Sequence, residues 1–332
     1  MLMPIKLTTY YRSQDIPDLP GTNTFHSKEL FSVYEKTKGY TPLLIVATEN
    51  GICQGKILAA IRKKTTRFIM PAFAKKCEVY GTGEYFCAEE KVDELFGYLL
   101  KHLTREALRK SFLIQFRNLG NPLLGYKQFK ENEYFAVNWL RVRNYLQEKG
   151  PLDYNFSPSR RRQIRRGLKN GAQIMEATTS KEVEEFAIML SKIYSAHIRK
   201  HYPSVEFFQH INNSFLKSGT NMASVYIVKY KDKIIGGTAV AFSNKDAYLW
   251  FSGGMRTTYA KQNPGILAVW MALNDAKERG CEHLEFMDVG LPFRKHTYRE
   301  FVLRFGGKQS STRRWFRFRW KWLNRLFHKL YD

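Results

Sequence analysis

LIVATENGICQGKILA, residues 44–59, and YIVKYKDKIIGGTAVA, residues 226–241, can be laid over one another without a gap. In that register Ile45 and Val46 fall on Ile227 and Val228, Asn50 on Asp232, Ile52 on Ile234 and Gly55 on Gly237. Each copy reads as a β-hairpin, with an apolar strand, a polar turn at ENG or KDK, and a second apolar strand. The same register sets Phe25, at the start of a helix-like segment, on Phe207. Further along, SFLIQFRNLG, ending at Gly120, resembles CEHLEFMDVG, ending at Gly290, with Phe116 on Phe286 and Asn118 on Asp288. A helical pattern precedes each, VDELFGYLLKHLTREALRK in one and GILAVWMALNDAKERG in the other. One hairpin match is a weak sign, but two matches in the same order, joined by equivalent elements, read as an internal repeat. The expectation is an α/β (α+β) chain of two similar lobes, 1–150 and 151–332, each a largely antiparallel sheet flanked by helices. The boundary is set at QEKGPLDYNFSPS, residues 147–159, which is rich in Gly, Pro and Ser.

The composition fits that division. With 332 residues there is room for two cores, and 15% aromatic with 25% charged residues describes a globular protein. The formal net charge of +24 makes a field that draws in phosphates, anionic lipid headgroups or acidic substrates. Four cysteines without a CxxC suggest neither a disulfide framework nor a cysteine zinc site, which fits a reducing cytoplasm. MLMPIKLTTYYRSQDIPDLP lacks the apolar core of a signal peptide, and no apolar run approaches a membrane span, so any membrane contact is expected to be peripheral.

Much of the charge is concentrated in SPSRRRQIRRGLKNG, residues 157–171, where five arginines fall between Arg160 and Arg166. The segment reads as a helix capped by Ser159, with Ile164 and Leu168 as its apolar stripe. A helix that is merely solvated usually mixes in acids, and none occurs between Asp153 and Glu176. Arg161, Arg162, Arg165 and Arg166 are therefore candidate phosphate contacts through guanidinium pairing. Nucleic acid and the phosphate of a small substrate both remain open as the partner. QNPGILAVWM, from Gln262, has the chemistry of a helix start, with Asn263 as N-cap, Pro264 at the first position and Gly265 leaving backbone N–H groups uncovered for an anion. His197 and His201 have the spacing of two metal ligands, but the intervening IRK offers no carboxylate, and no metal is expected.

The order FHSKEL, hairpin, RRRQIRRGLKNG, second hairpin with IIGGTA, NPGILAVWMALNDAKERGCEHLEFMDVG and FVLRFGG resembles the Fem-type tandem members of the GNAT acyltransferase superfamily. The resemblance runs over nearly the whole chain and is stronger in the second lobe. It implies transfer of an acyl or aminoacyl group to an amine, from a thioester such as acyl-CoA or from aminoacyl-tRNA. In the peptidoglycan branch the acceptor is a cell-envelope precursor, lipid- or nucleotide-linked. It also implies a donor-binding turn at Gln262, Asn263, Gly265 and Ile266, although Leu267 stands where that turn has a small residue. Fem-type peptidoglycan enzymes carry a lysine between Phe and the later Phe-Gly-Gly; here Val302 follows Phe301, leaving Arg304 or Lys308 to substitute.

Amine acylation needs a deprotonated amine, a carbonyl held near it and a stabilised oxyanion. Asp288, at a strand end where the first lobe has Asn118, is the candidate base or amine anchor. Its alternative role is to accept backbone hydrogen bonds in a turn. Tyr298 is the candidate acid for the leaving group. Two classes of function thus stand side by side: an N-acyltransferase with acyl-CoA as co-substrate and its acceptor cleft between the lobes, and a basic nucleic-acid-binding module that has lost catalysis. In the last stretch, STRRWFRFRWKWLNRLFHKLYD, cations alternate with aromatics as in a strand, and Trp320, Leu323, Phe327 and Leu330 follow helical spacing. It reads as a final strand and docked helix, or as a contact with anionic membrane.

Overall fold

The computed structural model describes residues 5–63, 75–148, 150–197, 203–218 and 222–331, without the side chains of 195–197 and 213–218. His201 lies outside the described residues, as does the side chain of His197. In chain order the first elements are β1 (Lys6–Tyr10), α1 (Lys28–Lys36), β2 (Tyr40–Glu49), β3 (Ile52–Lys63), β4 (Lys75–Tyr80), β5 (Glu84–Tyr85), α2 (Glu89–Lys110), β6 (Leu113–Arg117), α3 (Tyr126–Glu131) and β7 (Phe135–Tyr145). Then come α4 (Pro158–Lys169), β8 (Gln173–Glu176), α5 (Ser180–His197), α6 (Val205–Ser218), β9 (Ala223–Tyr230), β10 (Lys233–Ser243) and β11 (Asp246–Gly254). The last are α7 (Pro264–Glu278), β12 (His283–Phe286), α8 (Thr297–Leu303), β13 (Lys308–Phe318) and α9 (Lys321–Tyr331).

These elements form two compact units. One comprises Met1–Trp139 with Thr312–Asp332, and the other is Leu140–Ser311. The first unit orders its strands β1-β2-β3-β4-β6-β13, and the second orders them β7-β12-β11-β10-β9-β8. Within each, one pair is parallel, β4 with β6 and β11 with β12, and the other neighbours in the two orders are antiparallel. The division differs from the 150/151 boundary that the Gly- and Pro-rich stretch suggests, because the two copies of the repeat exchange their last strands. Residues 142–145 of β7, which end the first copy, pair with β12 of the second unit. Residues 314–318 of β13, which end the second copy, pair with β6 of the first. The aromatic tail therefore belongs to the first unit.

The hairpins are present, but one residue out of the gapless register. Glu49 pairs Ile52 across the turn Asn50-Gly51, whereas Tyr230 pairs Lys233 across Lys231-Asp232. All four turn residues have positive φ, at 52°, 79°, 49° and 58°, as a two-residue turn matched to strand twist requires. Each returning strand then carries an irregularity at the same distance from its turn, at Gln54 and at Ile235. Structure thus aligns Ile45 with Tyr226 rather than Ile227. Both faces of β2 and β9 are buried, so alternation, the only local signal of register, is missing from the sequence.

A long amphipathic helix covers one face of each sheet. In α2, Leu95, Phe96, Leu99, Leu100, Leu103 and Ala107 recur at three- and four-residue intervals and pack with Ile45, Ile57 and Val79. In α7, Leu267, Val269, Ala272, Leu273 and Ala276 pack with Val228, Ile235 and Val240. Each fully buried leucine contributes about 1.5–3 kcal/mol through removal from water, so Leu99→Ala or Leu273→Ala would cost a few kcal/mol.

Candidate active site

In the second unit, β11 and β12 pair from Asp246↔His283 to Leu249↔Phe286 and then part. β12 ends at Phe286, while β11 continues to Gly254 on its β10 partner, after a bulge at Trp250. The parting leaves a wedge. Its floor is the end of β11, and one wall is the start of α7. The two touch backbone to backbone: a Cβ on Gly254 would collide with the nitrogen of Gly265, so only glycine fits there. α8 supplies the opposite wall, held by Arg299. Its Nη1 donates to Leu291 O at 2.8 Å and Val289 O at 3.2 Å, and its Nη2 to Arg294 O at 2.7 Å, which fixes the segment after β12.

Two cavities open here, of about 630 and 1000 Å³. The smaller takes Ser252 and Gly254 from β11, Asn263, Gly265 and Ile266 from α7, and Arg304 from the end of α8. The larger lies toward α5 and the β9–β10 turn, with Met189, Ile193 and Ile234 beside Lys192, Lys231 and Lys233. Gly254, Arg256, Thr257, Thr297, Tyr298 and Phe301 border both.

The smaller cavity is lined by Arg160, Arg256 and Arg304 against Glu300, and a helix start opens onto it. α7 has no acidic residue in its first turn, and its first residue, Pro264, brings no N–H, so Gly265 presents the first amide of the helix. Asn263 stands at the N-cap, as the sequence suggests, but in the left-handed region at φ 50° and without capping the helix. Its Nδ2 instead donates to Gln163 O at 3.1 Å, tying α7 to α4. Gln262 is buried on that same seam, with Nε2 3.4 Å from Asn170 O, and lines neither cavity. Gly167 completes the seam, since a Cβ there would meet the Gln262 carbonyl.

The arginine helix α4 holds its charges differently from what its sequence suggests. Ser157, not Ser159, caps it, with Oγ accepting from the Arg160 amide at 3.3 Å and Pro158 at the first position. Phased from that cap, Arg160, Ile164 and Gly167 face inward, while Leu168 is exposed. Arg162, Arg165 and Arg166 point to solvent, Arg161 is half-buried, and none of the four lines either cavity. Arg160, absent from the sequence-based candidates, is 2% exposed and lines the smaller cavity. Its Nη2 donates to Phe301 O at 2.8 Å, its Nη1 to Gln163 Oε1 at 3.1 Å, and it lies 4.5 and 4.4 Å from the rings of Phe301 and Phe305. Its Nε has no hydrogen-bond partner. Burial, then the neighbouring Arg304, lowers its pKa to about 10. Two guanidiniums close enough to repel, beside an uncovered helix start, make the lining positive on balance, with Arg256 adding to them and Glu300 offsetting part of the charge.

Asp288 follows β12 in a left-handed conformation at φ 68° and is half-buried. Tyr298 lines both cavities. Burial raises the Tyr298 pKa, and Tyr194 and the negative charge of Asp288 raise it further. Tyr194, whose hydroxyl donates to Ser252 O at 3.1 Å, is pushed up to about 12 by burial, with Asp288 adding to the rise. Both phenols therefore keep their protons at neutral pH. Asp288 and Tyr298, paired from the sequence, are thus within electrostatic reach of one another, and Tyr194 joins them. Val302 is fully buried and Lys308 leans on Tyr145, its Nζ 4.8 Å from the ring, which leaves Arg304 as the cation at the wedge from FVLRFGG. No cluster of three or more potential metal ligands occurs among the described residues.

Residues 158–295 match the family model described as an acetyltransferase (GNAT) domain. Among solved structures, the chain is similar to FemX, at 11% identity over 99% of each chain with a TM-score of 0.64. It is also similar to the C-terminal domain of a putative lysylphosphatidylglycerol synthetase from Agrobacterium fabrum, at 11% identity over 92% of this chain and 90% of that one, TM-score 0.56. A tandem GNAT protein from the clavulanic acid biosynthesis pathway aligns at 8% identity over 96% of this chain and 99% of that one, TM-score 0.54. No curated protein sequence matches the chain. At such identities the likeness speaks for the fold, and the chain accordingly has the Fem-like tandem GNAT fold, with the GNAT acetyltransferase domain inside its second unit.

Proposed function

We propose that the protein is an N-acyltransferase of the second unit, taking a phosphate-bearing acyl thioester such as acyl-CoA in the smaller cavity and an amine acceptor in the larger. The observation that carries this reading is the meeting of Arg160, Arg304 and the Gly265 amide at the wedge between β11 and β12. A donor pyrophosphate would balance their charge, and its acyl arm would run along the end of β11 toward Tyr298. There the amine nitrogen attacks the thioester carbonyl as Asp288 takes the amine proton. The tetrahedral intermediate then expels the thiolate, which Tyr298 protonates, and the amide is released with free thiol. The acceptor is an amine of a cell-envelope or small-molecule compound. The larger cavity sets Lys192, Lys231, Lys233 and Arg256 against Glu185 and Asp232 beside apolar side chains, and this net positive lining favours an acceptor that also carries an anionic group beside an apolar one.

A second reading, aminoacyl-tRNA-dependent ligation to a peptidoglycan precursor, draws on the whole-chain likeness to FemX and on the solvent-facing arginines of α4. Those arginines suit the backbone of a large polyanion better than a ligand inside the cavity. Differential scanning fluorimetry and a transfer assay with acetyl-CoA, a longer acyl-CoA and aminoacyl-tRNA separate the two. The first reading expects stabilisation and transfer with a CoA thioester, and tRNA-dependent transfer alone would replace it with the second. RNA binding with steep salt dependence, and no transfer from any donor, would remove both.

A further inference from the structure

The closing helix α9 is docked to the first unit by one face. Asn324 is buried, its Oδ1 accepting from the Phe318 amide at 3.1 Å and its Nδ2 donating to Glu133 O at 2.7 Å. Phe327 lies 4.8 Å from Phe318 and 5.6 Å from Phe135, and the Tyr331 ring is 5.9 Å from Phe135. Leu330, which the spacing of the sequence groups with Phe327, is turned away instead. The outward surface consists of two parallel stripes. Trp322, Leu326 and Leu330, four residues apart, are 63%, 48% and 66% exposed. Lys321, Arg325 and Lys329, also four apart, are all exposed and run beside them. Trp320 and Trp322 stack with centroids 6.0 Å apart at the head of the helix, and no acid occurs from Arg313 to Tyr331.

We propose that this surface docks the protein on an anionic lipid bilayer, with α9 lying in the plane of the interface. The apolar stripe would enter the boundary between headgroups and acyl chains, and the Trp pair would sit at headgroup level. The cationic stripe would meet lipid phosphates. Charge complementarity selects this occupant. The cations are continuous with the apolar stripe instead of encircling it, as the two layers of a membrane surface demand. An RNA would engage the cations and leave Trp322, Leu326 and Leu330 in water. The described helices include none long and apolar enough to cross a membrane, so contact through α9 is superficial. The inference is independent of the transfer chemistry.

The test uses the full chain with vesicles of phosphatidylglycerol and phosphatidylcholine in equal parts, with pure phosphatidylcholine vesicles and with tRNA. The expected result is cosedimentation with the anionic vesicles and a blue shift of tryptophan emission. The triple variant W322S/L326S/L330S, which leaves Asn324 and Phe327 in place, should bind them about tenfold or more weakly at an unchanged melting temperature. Because a chain of charge +24 adheres to any anionic surface, the decisive outcome is the triple variant. Equal binding by both proteins overturns the proposal, as does tRNA binding without vesicle binding. Should the triple variant be insoluble, W322F in the otherwise intact chain is read instead, and retention of the full blue shift overturns the proposal.

Discussion

The two units begin alike and differ where their parallel strands end. In the first, β4 and β6 stay paired from Lys76↔Leu113 to Tyr80↔Arg117, and the Gly81 amide bonds the Arg117 carbonyl beyond them at 2.8 Å. In the second, the equivalent β11 and β12 part at Leu249. The helix starts differ in the same sense. α2 carries Glu89 and Glu90 in its first turn, which neutralise its dipole, whereas α7 has no acid there. At the strand ends, Asn118 folds back on its own turn, with Oδ1 accepting from Gly120 N and Nδ2 donating to Asn121 O, both at 3.0 Å, while Asp288 adopts a left-handed conformation beside two phenols. The strand ends are closed in one repeat and parted in the other, which is where we propose the site. A few hydrogen bonds at one end of one strand pair make the difference.

The comparison breaks most sharply at the paired positions. Asp288→Asn should lower turnover roughly a hundred- to ten-thousand-fold at an unchanged melting temperature, the loss expected for a general base. Asn118→Asp should leave turnover untouched and cost about 1–3 kcal/mol in urea unfolding, because an oxygen then faces the Asn121 carbonyl. Full activity in Asp288→Asn would make that residue a turn former like its counterpart. Next in size, Arg304→Gln should raise the KM for a CoA thioester about tenfold with little change in kcat, as loss of a charge-assisted phosphate contact does. An unaltered KM would move the donor away from the wedge.

The units should also part under acid. Burial, aided by Lys56, depresses His26 in the first unit to about 3 from 6.5. The unfolded chain then binds a proton that the folded one refuses, so this contribution is complete above pH 6.5 and is lost as pH falls from 6.5 toward 3, at about 1.4 kcal/mol per pH unit. Depressed carboxylates add to the loss only below their unfolded value of 4.5, Glu78 in the first unit and Glu182 in the second, both at about 2. Hydrogen exchange at pH 5.5 should therefore show the first unit opening before the second, and simultaneous opening would remove His26 as the cause. The smallest effect expected is that of R162Q/R165Q/R166Q, which should leave both the CoA-thioester KM and the melting temperature unchanged within error. A weakened use of aminoacyl-tRNA by this variant alone would favour the ligase reading.

How far the sequence could lead is clear from particular residues. The repeat, the hairpins, the helix start at Pro264 and the strand end at Asp288 are written in local patterns. The register is not, because β2 and β9 are apolar on both faces. Arg160 is hidden by four neighbours of its own kind. Only the phase set by Ser157 and Pro158, carried through Ile164 to Gly167, distinguishes it, and placing the cap at Ser159 loses that phase. Tyr194 reaches the site from a helix whose pattern shows an ordinary packing aromatic. The unit boundary was unreadable because strand exchange is a property of pairing across the whole chain.

That exchange also dictates an order of assembly. β6 has its antiparallel neighbour β13 only after every residue of the second unit has been made. On a ribosome the first unit would therefore wait, one strand short, through synthesis of all that follows, while the second can close around β7 as soon as β12 emerges. Long-range pairing of this kind slows folding and leaves an open strand edge for its duration. The unit that starts first is finished last, and a premature stop anywhere before β13 strands it incomplete.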